Sequence, residues 1–315
     1  MISISILKLA PACKNYLWGG RRLIDEYGIN YDGEILAEAW ILSAHKDGAS
    51  TILNGKYAGK SFREYLAAEG SKVLGENCHV EEFPVLIKLI DAQDNLSVQV
   101  HPSDKYAQKF ENQLGKHEMW YIIDAAPDSF IYLGLNRRIS KKKFAERIEN
   151  ETLTDILKKI YVKKGDCFFI PAGTIHSIGK GILLAEVQQS SNVSYRIYDY
   201  GRIGADGNKR ELHIDKALDV ADLSATDLSE KKYPHLAACD YFNVDKISLD
   251  GKITSRLAGT VTEKSFLSVL ILDGRGIISV GIETLNYKKG DTFFLPADSG
   301  KWQIEGVADI LLTYI

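Results

Sequence analysis

The sequence predicts a mainly β protein made of two related β units, with a small helical insertion. Short apolar runs bounded by turn residues recur along the 315 residues and indicate strands. Residues 162–172 are repeated almost residue for residue at 287–297, 125 positions later. Such a repeat indicates two copies of one structural unit. Residues 140–160 form the one clearly helical region, and an interruption at 150–152 favours two short helices over one.

A polar and charged stretch at residues 221–234 has the composition of a domain linker. It predicts a catalytic domain at 1–225, with the N-terminal strands and the helical segment, and a C-terminal β domain at 226–315. In the second copy of the repeat, Lys301 stands where the first copy has His176. We therefore expect the C-terminal unit to be degenerate and structural.

Composition and charge exclude several classes of function. A net charge of −3 and a pI near 6.2 give no reason to expect a nucleic-acid partner or attraction to an anionic membrane. No segment approaches the roughly 18 apolar residues of a membrane span, and the N-terminus lacks the features of a secretory signal. The four cysteines are scattered without a CxxC pair, which favours free thiols in a reducing compartment. We expect a cytoplasmic protein that acts on a small molecule.

The N-terminal part of the chain predicts strands separated by a short helix. Alternation of apolar and polar residues at 1–9 predicts a first strand, and residues 37–43 predict another. Ser61 is followed three positions later by Glu64, which is the pattern of a capping box. A short helix is therefore predicted to begin at Ser61.

Residues 83–90 form a continuous apolar run with a single interruption, Lys88. A run of this length predicts a buried strand. Because a buried lysine without a partner is costly, two placements of Lys88 stay open. Its ammonium either extends to the surface or points into a polar cavity.

The next stretch, residues 96–123, carries three candidate metal ligands. Gln99 and His101 are two positions apart in a predicted strand, so their side chains leave the same face. Glu118 begins a second apolar strand after a short predicted helix for which Ser103 is the cap. Oxygen and nitrogen donors of this kind suit a borderline divalent metal. A surface strand with a polar face would have the same pattern, so a fourth ligand is needed to decide.

His176 supplies the fourth candidate ligand. It ends the pattern Gly165-x5-Pro171-x-Gly173-x2-His176, in which a hairpin turn, a strand and a second turn place the histidine on the next strand, facing the interior. A lone buried histidine is most often a core residue, but four such residues together favour a metal site. The pattern resembles the second motif of cupin jelly rolls.

More widely, the sequence resembles the type I mannose-6-phosphate isomerases (phosphomannose isomerases) in their short bacterial form. The resemblance extends from about residue 8 to residue 215, and more weakly to the end. It rests on Trp18-Gly19, Ala37-Glu38-Ala39-Trp40, residues 83–88 and 96–102, Lys116-His117-Glu118 and residues 195–199.

The resemblance implies a zinc-dependent aldose–ketose isomerase. The implied reaction interconverts D-mannose 6-phosphate and D-fructose 6-phosphate through an enediol, with one Zn²⁺ per chain. The implied zinc ligands are Gln99, His101, Glu118 and His176. The implied catalytic residues are Arg196, Glu186 and Lys116, and the implied substrate-binding residues are Lys88, Lys116 and Arg196.

The catalytic base is less well defined by the resemblance. Glu186 is the first candidate, because a carboxylate beside a metal and apolar walls can have a useful pKa; His117 is weaker, since it alternates away from Glu118. Similar enzymes carry an aspartate four positions before the arginine, where this chain has Asn192. An asparagine cannot act as a base. Arg196 itself stabilises negative charge or holds the substrate, unless it forms only a surface salt bridge with Asp199 or Glu186.

Two other functions remain open at this point. One is a metal-dependent cupin of different chemistry, such as an oxygenase or an isomerase of another phosphorylated sugar. The other is a non-catalytic cupin that only binds a sugar phosphate. The sequence also leaves open whether the protein is a monomer or a homodimer, and which metal it uses in the cell.

Overall fold

The computed structural model describes residues 6–79, 82–204, 207–226 and 235–315. The strands are β1 (Leu7–Ala10), β2 (Ala12–Lys14), β3 (Glu38–Leu42), β4 (Thr51–Ile52), β5 (Val85–Ala92), β6 (Val98–Val100), β7 (Glu118–Ala125), β8 (Phe130–Leu135), β9 (Leu157–Tyr161), β10 (Cys167–Ile170), β11 (His176–Ile178), β12 (Ile182–Gln189), β13 (Tyr195–Tyr198), β14 (His235–Ala238), β15 (Asn243–Asp250), β16 (Arg256–Val261), β17 (Leu267–Val280), β18 (Glu283–Lys288), β19 (Thr292–Leu295) and β20 (Gly300–Tyr314). The α-helices are α1 (Arg22–Asp25), α2 (Phe62–Glu69), α3 (Asp104–Phe110), α4 (Lys141–Glu149) and α5 (Ile214–Val220). Single 3₁₀ turns lie at Gly55–Tyr57, Ser71–Val73 and Leu153–Ile156.

Two antiparallel sheets enclose the first core. One has the strand order β10-β7-β12-β5-β3-β2, and the other has the order β13-β6-β11-β8-β9. Apolar side chains from both sheets meet between them, among them Trp120 and Ile122 of β7 and Ile131 and Leu133 of β8. Two sheets packed face to face over a shared core form a β-sandwich. The predicted mainly β, jelly-roll fold class is confirmed.

A third, nine-stranded sheet forms the C-terminal unit, and it also takes in the start of the chain. Its order is β14-β15-β20-β17-β19-β1-β4, with β16 beside β20 and β18 beside β17. Leu7 of β1 pairs with Phe294 of β19. The N-terminal strand, which the sequence assigned to the catalytic domain at 1–225, is therefore part of the C-terminal sheet. The first residues of its predicted range, 1–5, lie outside the described residues.

Both copies of the sequence repeat form the same turn. In each, a glycine with positive φ, Gly165 or Gly290, lies in a left-handed conformation that favours glycine. The aspartate that follows it accepts a hydrogen bond from the backbone N–H three residues earlier, at 2.9 Å in both copies. The strands β10 and β19 then begin at equivalent positions. The repeat is therefore structural as well as sequential.

The helical segment is shorter than predicted. Ser140 caps α4 as expected, since its hydroxyl accepts from the backbone N–H of Lys143 at 3.2 Å. Only one 3₁₀ turn follows before the next described strand, and residues 157–160 are not helical as predicted but belong to β9, the edge strand of its sheet, which pairs with β8. The other helices agree better with the sequence: α2 has the capping box of Ser61 and Glu64, and α3 begins after Ser103, although that side chain makes no capping bond.

Alternation along β5, β7 and β12 places the functional side chains. The outer face of these strands, with Ile87, Met119 and Val187, packs into the core shared with the C-terminal unit. The inner face is apolar at one end and polar at the other, where Lys88 and Glu186 are opposite each other in the register. The site therefore lies inside the sandwich, at one end of its core.

The predicted linker is only partly described. Residues 227–234 lie outside the described residues. The described part lies against β8, where Ala225 forms a β-bridge with Leu135. The backbone N–H of Leu135 donates to Thr226 Oγ1 at 3.2 Å. The domain division at 225/226 stays a prediction. Among the described residues, no helix has the length and apolar character needed to cross a membrane.

Candidate active site and metal centre

The register of the five-stranded sheet brings together residues that are far apart in sequence. Gln99 of β6 lies opposite His176 of β11 on one side and opposite Arg196 of β13 on the other. Glu118, at the start of β7 in the facing sheet, lies 3.2 Å from His176 Nε2 through Oε1 and 3.4 Å from His101 Nε2 through Oε2. The four predicted ligands thus converge at one end of the sandwich.

Three of these residues form a cluster that can hold a metal ion. Ligand atoms of His101, Glu118 and His176 all lie within 4.8 Å of one another, and each residue is at most 1% exposed. The Oε1 atom of Glu118 is buried and accepts no hydrogen bond from the described residues. A buried carboxylate oxygen without a donor is costly unless a cation satisfies it. The donor set therefore fits a divalent metal.

Backbone carbonyls fix both imidazole rings in the orientation that a metal ligand needs. The Nδ1 of His101 donates to the carbonyl of Val193 at 3.1 Å, and that of His176 donates to the carbonyl of Thr174 at 2.8 Å. Because a carbonyl only accepts, Nδ1 carries the proton in each ring, and each Nε2 is left with its lone pair. The Nε2 of His101 accepts from the ammonium of Lys116 at 3.0 Å, and that of His176 lies 3.2 Å from Glu118 Oε1. Burial and the nearby Lys116 lower the pKa of His101 to about 3, and burial lowers the pKa of His176. Both rings are therefore neutral.

Glu118 and Gln99 complete the surroundings of this cluster. Burial alone would raise the pKa of Glu118, but the ammonium of Lys116 holds it well below its ordinary value. The carboxylate is therefore ionised. The amide of Gln99 lies 3.3 Å from His176 Nε2, and a rotation of that amide by half a turn exchanges its nitrogen for its oxygen. Gln99 is thus able to supply an oxygen ligand.

A row of alternating charges extends from the cluster. The ammonium of Lys116 lies 2.7 Å from Glu118 Oε2 and 3.6 Å from Glu186 Oε1. The ammonium of Lys88 lies 3.2 Å from Glu186 Oε2 and 3.7 Å from Glu38 Oε2. All five side chains are buried. Of the two placements open for Lys88, the polar cavity is the one observed.

Among the carboxylates that line the cavity, Glu186 has a pKa that is moved toward neutrality. Burial raises its pKa, in spite of the opposing charges of Lys116 and Lys88. The indole N–H of Trp120 donates to its Oε1 at 3.4 Å. In contrast, burial alone would lower the pKa of Lys88, but the carboxylates of Glu186 and Glu38 raise it, so that this lysine keeps its charge. Glu186 can therefore exchange a proton while Lys88 stays charged.

A cavity of about 270 Å³ opens beside this row of charges. Lys88, Gln99, Lys116, Glu186 and Arg196 all line it, so the structure brings the predicted non-metal residues together in one place. The guanidinium of Arg196 donates from one Nη to the carbonyl of Glu211 at 2.8 Å, while its buried Nε has no partner among the described residues. Burial and the nearby Arg210 lower the pKa of Arg196.

His117, the weaker candidate base, lies away from this cavity. Its ring stacks on Tyr241 at 5.0 Å and on Phe169 at 6.2 Å between ring centres. These aromatic residues pack against the core shared with the C-terminal unit. The alternation that placed His117 and Glu118 on opposite faces is therefore present in the structure.

Comparison with known proteins identifies the family. Residues 6–127 match the model of the type I phosphomannose isomerase catalytic domain, and residues 231–315 match that of the mannose-6-phosphate isomerase cupin domain. The chain is 37% identical to a mannose-6-phosphate isomerase of Bacillus subtilis over 317 residues, which cover 97% of each protein. The chain belongs to the type I phosphomannose isomerase family.

Two further comparisons agree with this membership. The mannose-6-phosphate isomerase of Streptococcus mutans is 38% identical over 95% of this chain and 94% of its own length. The crystal structure of the mannose 6-phosphate isomerase of Bacillus subtilis matches with a TM-score of 0.90 at 35% identity, covering 99% of this chain and all of that one. The predictions that the chain is an enzyme and that it belongs to the phosphomannose isomerases are confirmed. The family and the His101–Glu118–His176 cluster together indicate a metal ion.

The structure adds residues to this phosphomannose isomerase site that sequence reasoning missed. Glu38, Tyr16 and Arg210 all line the cavity. Arg210 binds Asp199 through two nitrogens at 2.6 and 2.7 Å, so Asp199 is the partner of Arg210. Glu38 belongs to the Ala37-Glu38-Ala39-Trp40 motif, which was the only sequence signal for it. The indole N–H of Trp40 donates to Glu38 at 2.7 Å. Nothing in the sequence singled out Tyr16 or Arg210.

Proposed function

We propose that this chain interconverts D-mannose 6-phosphate and D-fructose 6-phosphate with one Zn²⁺ per chain, held by Gln99, His101, Glu118 and His176. The observation that carries the proposal is the position of Glu186. This buried carboxylate, with its raised pKa, lines a cavity next to the metal-binding cluster. The full-length similarity to mannose-6-phosphate isomerases supports the choice of substrate.

The mixed nitrogen and oxygen donors suit a catalytic zinc ion. Structural zinc sites favour cysteines, whereas the candidate cluster here consists of histidine and carboxylate. When bound, such an ion acts as a Lewis acid that stabilises negative charge on the sugar oxygens. The two Nδ1 hydrogen bonds to backbone carbonyls keep both histidines in the orientation for binding it.

Isomerisation of the open-chain sugar through an enediol moves one proton from C2 to C1 and a second proton from the C2 hydroxyl to the C1 oxygen, and the reverse reaction moves both back. Glu186 takes the proton from one carbon and returns it to the other, and its raised pKa brings it closer to neutrality, where a base is most effective. Lys116 and Lys88 hold its two oxygens from opposite sides, at 3.6 and 3.2 Å. Glu186 is therefore fixed in direction as well as tuned in basicity.

The two lysines are less suited to gripping the phosphate. A phosphate monoester carries a charge of about −1.5 to −2 at neutral pH, and the ammonium groups of Lys88 and Lys116 are each already bonded to buried carboxylates. Arg196 forms no ion pair with the described residues and has an unpartnered Nε. The phosphate accordingly binds toward Arg196, with Arg210 nearby, while the lysines contact the sugar oxygens.

The test is a coupled assay for fructose 6-phosphate formed from mannose 6-phosphate, before and after treatment with a chelator. We expect turnover that is lost on chelation and restored by Zn²⁺, with about one zinc bound per chain by metal analysis. Binding without turnover by the zinc-loaded protein would favour a non-catalytic sugar-phosphate-binding cupin. Turnover only of another phosphorylated sugar would favour a related isomerase. Either result would remove the proposal.

Two properties stay predictions. The cytoplasmic location is in keeping with the scattered cysteines, which form no disulfide among the described residues, but it rests on the sequence. That the protein is a monomer or a homodimer is the second of these predictions.

A further inference from the structure

Asn192 lies at the mouth of the substrate cavity, at the position where similar enzymes carry an aspartate. It is exposed on the segment between β12 and β13 and lines the cavity together with Ser194 and Arg196. Its amide Nδ2 donates to Oδ2 of Asp47 at 3.2 Å. Asp47 lies on the loop between β3 and β4, so this hydrogen bond joins two segments that are 145 residues apart.

The partner fixes the orientation of the amide. An ionised carboxylate only accepts hydrogen bonds, so the NH₂ group of Asn192 must face Asp47. The other end of the amide, Oδ1, accepts no hydrogen bond from the described residues and is the polar atom left for the cavity. We propose that Asn192 recognises the substrate by accepting a hydrogen bond from a sugar hydroxyl through Oδ1, and that Asp47 is the residue that positions it.

The loop that carries Asp47 is held firmly enough to act in this way. The hydroxyl of Ser43 accepts from the N–H of His45 at 3.1 Å and donates to the carbonyl of Gly48. The N–H of Asp47 donates to Nδ1 of His45 at 3.1 Å, and the ammonium of Lys14 contacts the carbonyl of Asp47. These bonds fix the backbone of the loop that carries Asp47, and none of them involves a residue that lines the substrate cavity.

The segment that carries Asn192 is equally well fixed. The hydroxyl of Ser191 donates to the carbonyl of Leu114 at 2.7 Å. The carbonyl of Val193, the residue after Asn192, accepts from Nδ1 of His101 at 3.1 Å. Asn192 therefore lies between one residue that anchors the backbone and one that orients a candidate metal ligand. Its amide is held over the cavity by the same segment that supports the metal centre.

The pair also explains why an amide is tolerated at position 192. An aspartate there would place a second carboxylate about 3 Å from Asp47, and like charges this close disfavour each other. Asparagine carries no charge, so the repulsion is absent and its amide donates a hydrogen bond to Asp47 instead. A neutral amide cannot move the C2 proton, so its contribution is to binding. The inference rests on the proposed function, since the hydroxyl that it recognises is that of the proposed sugar phosphate.

The test is a double-mutant cycle in the zinc-loaded protein with Asp47→Ala, Asn192→Ala and both together, using mannose 6-phosphate as the probe. Each single variant should raise KM about three- to tenfold, the usual worth of one hydrogen bond, with kcat within about twofold of wild type. In the Asn192→Ala background, Asp47→Ala should have little further effect on KM, because Asp47 acts only through Asn192. Asp32→Ala, an exposed aspartate outside the site, is the matched control and should leave KM unchanged.

A reversed pair separates positioning from a merely structural role. Asn192→Asp alone should raise KM more than Asn192→Ala because of the repulsion. Adding Asp47→Asn should restore much of the loss, since the amide introduced at position 47 then donates to the carboxylate introduced at position 192. If the wild-type enzyme turns over and Asp47→Ala leaves KM unchanged, this inference is overturned while the proposed function stands. The same conclusion follows if the effects of Asp47→Ala and Asn192→Ala on KM are additive in the double variant. Absence of wild-type turnover would overturn the proposed function and this inference with it.

Discussion

The buried row Glu38, Lys88, Glu186, Lys116 and Glu118 alternates in charge, and each lysine has two carboxylate neighbours. Removing the only partner of a buried charge typically costs about 3–5 kcal/mol. Here each lysine keeps one carboxylate when Glu186 is neutralised. The arrangement therefore allows Glu186 to gain or lose a proton without leaving an unpaired charge in the core.

Glu186→Gln follows from this arrangement as a test of the base. The variant should fold, because Lys88 keeps Glu38 and Lys116 keeps Glu118. We expect kcat to fall by about 10²–10⁴, the usual contribution of a general base, and exchange of the C2 proton with solvent to be lost. Proton exchange measured by NMR in deuterated buffer checks this. Glu149→Gln, on the exposed face of α4, is the control, and exchange at the wild-type rate in Glu186→Gln would exclude Glu186 as the base.

The raised pKa of Glu186 gives a pH dependence with a defined sign. The base must be ionised, so kcat/KM should fall as the pH drops through the pKa of the folded enzyme. Because burial raises that pKa, the fall should occur above the ordinary glutamate value of about 4.3. The substrate phosphate also titrates, near pH 6, so binding of a hexitol 6-phosphate, which lacks a carbonyl, should be measured in the same buffers. If binding of the hexitol 6-phosphate falls with decreasing pH in the same way as kcat/KM, the assignment of this pH dependence to Glu186 is contradicted.

Individual ligand positions were predictable wherever strand alternation decides which face a side chain takes. Gln99 and His101 were two apart, and their convergence with Glu118 and His176 followed from the strands that carry them. Which residues line the cavity was not predictable in the same way. Arg210 reaches the cavity from an irregular segment, and neither periodicity nor spacing constrains where such a segment folds back.

Helix caps give a second set of measurable consequences. The hydroxyls of Ser61 and Ser140 accept from the third backbone N–H of α2 and α4, whereas Ser103 at the start of α3 makes no such bond. Ser61→Ala and Ser140→Ala should each lower the free energy of unfolding by about 1 kcal/mol, measured by urea denaturation. Ser103→Ala is the matched control and should cost clearly less. An equal loss in all three variants would show that the capping bonds are not what stabilises these helices.

The strand β9 shows why a helical pattern misled the prediction. Leu153, Ile156, Leu157 and Ile160 are spaced as on one face of a helix, and the first two do lie in a 3₁₀ turn. Strand β8, however, offers backbone partners to residues 157–161, which form the edge strand of this sheet, and Ile160 pairs with Ile131 there. This pairing depends on a segment about 30 residues away. A short window of sequence contains no information about it.

The chain as a whole is joined across the predicted domain boundary. Strand β1 pairs with β19, and the core beneath the six-stranded sheet contains residues from both units. Phe294 of β19 is fully buried in that core, with ring centres 4.8 Å from Phe62 and 5.3 Å from Phe266. The repeat correctly indicated two related units, but it carried no information about how they share a core, since that core forms between faces that the repeat does not define.

This shared core predicts that the two units unfold together. Phe294→Ala should lower the free energy of unfolding by about 3–5 kcal/mol, and in urea the loss of activity and the loss of far-UV circular dichroism should have the same midpoint. Phe144→Ala is the matched control, because Phe144 is equally buried but packs α4 on the outer side of the five-stranded sheet, away from the shared core. If the units were independent, Phe294→Ala would unfold the C-terminal sheet first, and activity would persist beyond the first change in circular dichroism. Two separated midpoints in this variant would therefore contradict the shared core as the source of cooperativity.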